Sequence, residues 1–409
     1  NANHVQFGAT VNVGALTSTG ADFTNTGTIT TSGGAVNFSG HVGAINIDGN
    51  IATGGGAFTA TGASSFDSLG KSISTTGNDD TAGGSITVTT STGDLRTGAF
   101  SARGGTASGN GLSGGAVTLN AGAQLKIEGG IDTRGSSVVS GSGGAGGRVS
   151  LTGASGITNR RNIHTNGGSG TTAGAGGDVT FNSNTIWWDD LLVFTGASSG
   201  DITFAGTLDS VSGHTRNLTL VAGTGNINFD GAVGNTDAFG DVTIVSAATV
   251  DTDDVFKAAS FKQNAGSVLT QFDGTVTLSG NFDFTGEALT LNAALGAGGT
   301  VEVTNAGTFT TAAAGDITST GAFTQNGTGT NSLAGDITTT DSNIGFLRAV
   351  TLTGPVALST GSGAGDITFS SKVDGAQALT LTAGTGDVTF TGLGGDTNPL
   401  GEITVVAAT

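Results

Sequence analysis

Cysteine, methionine and tyrosine are absent from this 409-residue chain, proline and tryptophan occur twice each, and 13 basic residues face 31 acidic ones. Each shortage narrows the reading. Without cysteine there is no disulfide frame, which a long repeat stack does not require, and no marker of redox compartment. Residue 1 opens neither a signal peptide nor a Met-initiated chain, so together with the missing methionine we expect the native polypeptide to begin earlier. The formal charge of −18 has no basic stripe within it. That argues against nucleic-acid backbone and anionic lipid as partners and leaves divalent cations open. No stretch reaches the 18 to 20 apolar residues of a helical membrane span.

What the chain does have is 76 glycines, with Thr, Ser, Ala, Asn and Asp filling most other places. Such a composition borders on that of disordered chains, and the placement of the apolar residues decides against disorder. They fall as Gly-x-Φ-x-Φ, with Φ apolar. Examples are "GAVNF" at 34, "GSITV" at 84, "GAVTL" at 115, "GRVSL" at 147, "GDVTF" at 177, "GDITF" at 200, "GDVTI" at 240, "GDITF" at 365, "GDVTF" at 386 and "GEITV" at 401. Alternation with period two is a strand signal. Ile202 and Phe204 are then expected to point inward while Asp201 and Thr203 face water. The motif glycine is expected to adopt positive φ and turn the chain. No apolar 3.6-residue period supports a helix, and the glycine and β-branched content opposes one.

Two longer periods organise these strands. Gly-Gly precedes a strand at Gly83, Gly114, Gly146 and Gly176. Residues 191–248 match 356–409 at an offset of 165, falling to 161 after a four-residue difference in "VSGHTRN" (211–217), a change suited to a surface loop. Spacings near 31 are too short for sandwich modules and fit a β-solenoid, in which like residues stack coil on coil as one elongated rod. We therefore expect one continuous solenoid in three stretches. Residues 1–82 hold irregular coils, 83–181 hold Gly-Gly repeats of about 31 residues, and 182–409 hold tandem copies offset by 161–165.

The stretch "GDITTTDSNIGFLRAVTLTGPVALSTGSGAGDITFSSKVDGAQALTLTAGTGDVTFTGLGGDTNPLGEITVVAAT" and units such as "GGAVTLNAGAQLKIEGGIDTRG" resemble the repeats of giant bacterial β-strand-repeat surface exoproteins, the filamentous-haemagglutinin-like and autotransporter-like adhesins. The resemblance covers most of the chain and is strongest over 83–181 and 185–409. It implies a right-handed parallel β-helix secreted across a Gram-negative outer membrane, acting in adhesion, surface coating or biofilm matrix. The amino-terminal cap of such a secretion domain is not recognisable at the start of this chain.

Candidate chemistry is sparse. His4, His41, His164 and His214 are far apart in sequence, form no metal-ligand spacing, and are expected to face solvent. "NRRNIHTNGG" groups Arg160, Arg161 and His164, suited to an anionic sugar or a partner carboxylate, or simply a charged loop. Trp187 and Trp188 lie beside Asp189 and Asp190, a combination that can contact sugars, although neighbouring strand residues face opposite ways and one ring should enter the core. Asp178, Asp201, Asp241, Asp366 and Asp387 recur with the repeat, which points to structure, because an active site is usually built once.

Calcium is the one cofactor considered. Asp251, Asp253 and Asp254, Asp79 and Asp80, and the degenerate "AGAGGDVTF" at 173–181 are its candidate ligands, against the alternative of solvated acidic turns. Thr arrays such as "ITVTT" are too unevenly spaced for an ice-binding face. The expected function is that of a non-enzymatic, extracellular structural or adhesive β-solenoid at the bacterial cell surface. Its expected partners are itself, end to end with Thr409 approaching Asn1, further repeats of the same chain, or cell-surface glycans. The alternative is a carbohydrate-binding or polysaccharide-cleaving β-helix.

Overall fold

Alternating apolar pairs flanked by glycine become strands because two inward side chains per triplet are all that a narrow coil can bury. In the computed structural model, which describes residues 3–407, those residues form 48 β-strands and no helix. The expected apposition of Asn1 and Thr409 lies outside the described residues. The chain divides into two compact units, Asn1–Val211 with Thr219–Asn228, and Ser212–Leu218 with Phe229–Thr409. Each is a parallel β-solenoid.

In the first unit every coil has three sides. His4–Phe7, Val11–Val13 and Leu16–Gly20 of one coil pair in parallel with Asp22–Asn25, Ile29–Thr31 and Val36–His41 of the next. Successive coils are offset by 21 residues between Ile45 and Phe66 and by 32 between Leu125 and Ile157, so the Gly-Gly period is one coil. In the second unit the offsets run only from 19 (Val242 to Phe261) to 23 (Ile344 to Ile367). Its first long strand, Phe239–Thr252, bends to pair with both Phe256–Gln263 and Gly266–Phe272. The expected tandem copies are real at the level of strands. The six from Leu191–Phe194 to Phe239–Thr252 recur in order from Val356–Ser359 to Ile403–Ala407, and the four-residue difference falls in the loop after Leu208–Ser210.

The interiors are columns of like residues. Ile202 and Phe204 are buried as expected, and the Phe181 and Phe204 rings stack at 4.7 Å. In the second unit Phe261 stacks on Phe282 at 5.1 Å, and Phe346 on Phe369 at 5.5 Å. Each such ring is worth about 1.5–3 kcal/mol on burial, too little per coil to hold a coil alone. Stability therefore accumulates through neighbours.

The motif glycine does a different job from the one expected. Gly34, Gly84, Gly115, Gly147 and Gly177 do not have positive φ. A Cβ on Gly115 would stand 2.0 Å from the Gly84 carbonyl oxygen, one on Gly147 2.1 Å from that of Gly115, and one on Gly177 2.2 Å from that of Gly147. Glycine is required because backbone lies directly on backbone at this corner, a close approach that any side chain would block. Buried threonines close the same corner. Thr75 Oγ1 donates to the Gly84 carbonyl at 2.5 Å, Thr133 to Gly147 at 2.7 Å and Thr195 to Gly200 at 2.7 Å. Each exchanges a hydroxyl's bond to water for one inside the coil, a net gain of about 1 kcal/mol.

Candidate functional site

The recurring aspartates are spent on stacking. Asp178 Oδ1 accepts the N–H of Asp201 at 3.1 Å, and Asp201 Oδ1 in turn accepts the N–H of Asn226 at 2.7 Å. Asn343, Asp366 and Asp387 repeat the arrangement at 2.9 and 2.8 Å. Asp241 donates its N–H to Asn217 and receives the Ser260 hydroxyl, both at 2.7 Å. A carboxylate at the start of each strand thus ties down the first N–H of the strand above. The calcium echo at 173–181 is consumed likewise, since Asp178 also pairs with Arg148 at 3.1 Å.

Two sequence candidates come together on the first unit. Arg160 lays its guanidinium 3.7 Å over the Trp188 ring, and Arg161 reaches Asp189 at 3.4 Å. Trp187 is fully buried, packed edge-on against Phe181 at 6.0 Å, so it makes no sugar contact. Trp188 is half-buried with one face taken by Arg160. Arg160 also faces Glu128 at 3.6 Å, Glu128 faces Arg96 at 3.7 Å, and Arg96 faces Asp67 at 4.0 Å. Residues 67, 96, 128, 160 and 188 are separated by 28 to 32 positions, one coil each, and make an acid–base ladder that ends on an aromatic ring. Reading the sequence for local clusters missed Asp67, Arg96 and Glu128, although the coil period carries the signal.

His164 separates from the two arginines. It lies in register with Asp132, which Arg134 holds at 2.6 Å, and packs on Phe194. Burial, reinforced by the Arg134 charge, lowers its pKa below the usual histidine value, with Asp132 opposing. His41 is not solvent-facing either. It is wholly buried beside Phe23 and Phe38, with Nε2 3.0 Å from the Ser18 hydroxyl, and burial pushes its pKa down. The imidazole fills a core position because its apolar body stacks on phenylalanine while one nitrogen finds a hydroxyl.

Of the calcium candidates, Asp251 and Asp253 are brought within 4.8 Å of each other and of Asp273. Asp254 is excluded, because its carboxylate accepts its neighbour Val255's N–H at 2.7 Å. Burial and the charges of Asp253 and Asp273 raise the Asp251 pKa. Asp273 is already held by Asn292 Nδ2 at 2.6 Å and by Gln271 Nε2 at 3.1 Å. Three carboxylates of this kind offer oxygen ligands to a hard divalent cation, fewer than the six to eight oxygens calcium takes. Asp273 was missed although it stands 22 residues after Asp251, one coil away. Asp80 takes a left-handed turn, φ 53°, and accepts both the N–H and the hydroxyl of Ser108 at 2.8 Å. Among the described residues, neither Asp79 nor Asp80 joins a group of three possible metal ligands.

No family model, no curated protein and no solved structure matches this chain.

Proposed function

We propose that this chain is a non-enzymatic, extracellular scaffold of the adhesin or surface-coat kind, whose work is to supply length and a repetitive polar surface. The observation that carries the reading is the fate of the recurrent residues. Motif glycines, corner threonines and strand-leading aspartates all make coil-to-coil contacts. Fold alone does not assign function. Here, however, the residue types from which chemistry is commonly built are absorbed in holding one coil on the next.

The same reading includes self-association or continuation by further coils. Phe390, Leu393, Ile403 and Val405 are 38, 65, 47 and 56 % exposed, whereas their counterparts 161 positions earlier, Phe229, Ala232, Val242 and Ile244, are at most 5 % exposed. What covers the earlier set is the next coil, with Phe261 in register with Val242 and Phe256 against Phe229. One more coil of this pattern would cover the later set.

The test is electron microscopy of the purified chain over a concentration series, together with protease shaving of intact source cells. Rods that lengthen by whole units and lie open to external protease are expected. Particles of fixed length, or protection from protease until lysis, would overturn the proposal.

A further inference from the structure

A groove of about 370 Å³ runs along one corner of the second unit, formed by residues 264–266, 285–287, 304–306 and 326–328 of four successive coils. Beneath it lies Gln263, 1 % exposed. Its Oε1 accepts the Thr270 hydroxyl at 2.9 Å, while its Nε2 has no acceptor. That nitrogen is 2.3 Å from where a Cβ on Gly266 would stand and 3.2 Å from where one on Gly286 would stand, and both glycines belong to the groove wall. No side chain at either glycine screens the donor from the groove.

A second glutamine in the same column shows what is missing. Gln263 stacks in register through Phe284 and Val303 to Gln325. Gln325 Nε2 donates to Asn305 Oδ1 at 2.8 Å, and its Oε1 accepts the Arg348 N–H at 3.1 Å. Asn305 in turn stands in register with Gly286. Where Gln325 has an amide oxygen beside it, Gln263 has the space left by a glycine. Buried donors are nearly always satisfied, so an oxygen from outside the chain is the natural occupant.

We propose that this groove binds a neutral saccharide unit. Gln263 Nε2 would donate to a ring or hydroxyl oxygen, the Glu287 carboxylate would accept from a sugar hydroxyl, and Ala265 and Ala306 would meet the C–H face. No basic residue lines the groove, and Glu287 together with the net charge of −18 disfavours an anion. A donor pointing outward disfavours a cation. The volume lies at the lower end of the roughly 300–1,000 Å³ of small-molecule sites, consistent with a short saccharide. This inference stands apart from the scaffold reading, since rods that bind no sugar leave that reading intact.

The experiment is saturation-transfer NMR and calorimetric titration of the whole chain with cellobiose, maltose and N,N′-diacetylchitobiose. At least one disaccharide should bind, and Gln263→Leu and Glu287→Gln should each weaken it about tenfold, the loss of one hydrogen bond. Gln263→Leu keeps the column apolar, and its folding is checked by thermal unfolding. Should it fail to fold, Glu287→Gln on the exposed rim decides alone. Weakened binding in either folded variant supports the site. No binding of any disaccharide by the folded chain, or binding unchanged in every folded variant, overturns it.

Discussion

The stretch 83–181 in the first unit and the stretch 256–390 in the second solve the same stacking problem with different residues. The first has coils of up to 32 residues, Gly-on-Gly corners closed by threonine, and charged side chains alternating in sign up one face. The second has coils of 19 to 23 residues and a near-continuous pile of phenylalanine rings. A long coil carries more turn per strand, so its backbone must itself become part of the packing. A short coil leaves room for one large ring per side, and the ring carries the load. The same fold thus depends on backbone proximity in one region and on side-chain volume in the other.

Substitutions break this comparison in graded steps. Gly115→Val should have the largest effect, because its Cβ would overlap the Gly84 carbonyl and the corner cannot yield. A loss above about 4 kcal/mol is expected, seen as lost amide protection across the first unit in hydrogen exchange. Gly109→Ala, whose Cβ meets nothing within 4 Å, is the control and should be near neutral. Phe282→Ala should cost about 3–5 kcal/mol by the cavity it leaves, with the loss of protection centred on the second unit. An equal loss in both units would refute the regional assignment. Thr133→Val should cost about 1–3 kcal/mol, because the buried Gly147 carbonyl loses its donor, and a melting curve coincident with that of the parent chain would count against the threonine corner.

The smallest effect is a difference of sign with pH. In the first unit His41 and His164 have folded pKa values pushed below the ordinary histidine value of about 6.5. The unfolded chain then binds protons that the folded chain refuses, so stability falls as pH drops below about 6.5. Asp94 and Asp132 add to this below about pH 4. A hydrogen bond from Lys126 lowers Asp94, and for Asp132 the Arg134 interactions outweigh the burial that would raise it. In the second unit burial raises Asp251 and Asp283, so the folded form takes up the proton first. Their contribution is present below about pH 4 and lost as pH rises through the folded values, while Asp374 works the other way. Hydrogen exchange at pH 7, 5.5 and 4 should therefore show the first unit loosening on acidification before the second. Identical profiles would remove this difference between the units.

Much of this was legible in the sequence, because a coil writes its period into the chain. The Φ-x-Φ pairs named inward residues such as Ile202 and Phe204, and adjacency alone placed one tryptophan inside and one outside. What escaped was whatever depends on the vertical neighbour. Glu128 and Arg160, or Asp251 and Asp273, become neighbours only when the chain is wound at the right pitch, and that pitch differs between regions. The motif glycine was found for the wrong reason, since its role lies in the carbonyl of the coil below and not in its own φ. His41 was misplaced because an isolated polar residue gives no local sign of the phenylalanines that will enclose it.

The duplicated set of six strands has a consequence for how the chain reaches its native state. Two segments with the same pattern, 161 to 165 positions apart, offer nearly the same pairing edge to any incoming strand. A chain refolding from full length can therefore slip by one whole copy and still satisfy much of its ladder, a trap that local stability does not prevent. Emergence in order from one end removes the competitor, since the earlier edge is occupied before the later one exists. Refolding from denaturant is accordingly expected to be slower and more heterogeneous than folding during synthesis, through kinetic mispairing of copies that are individually sound.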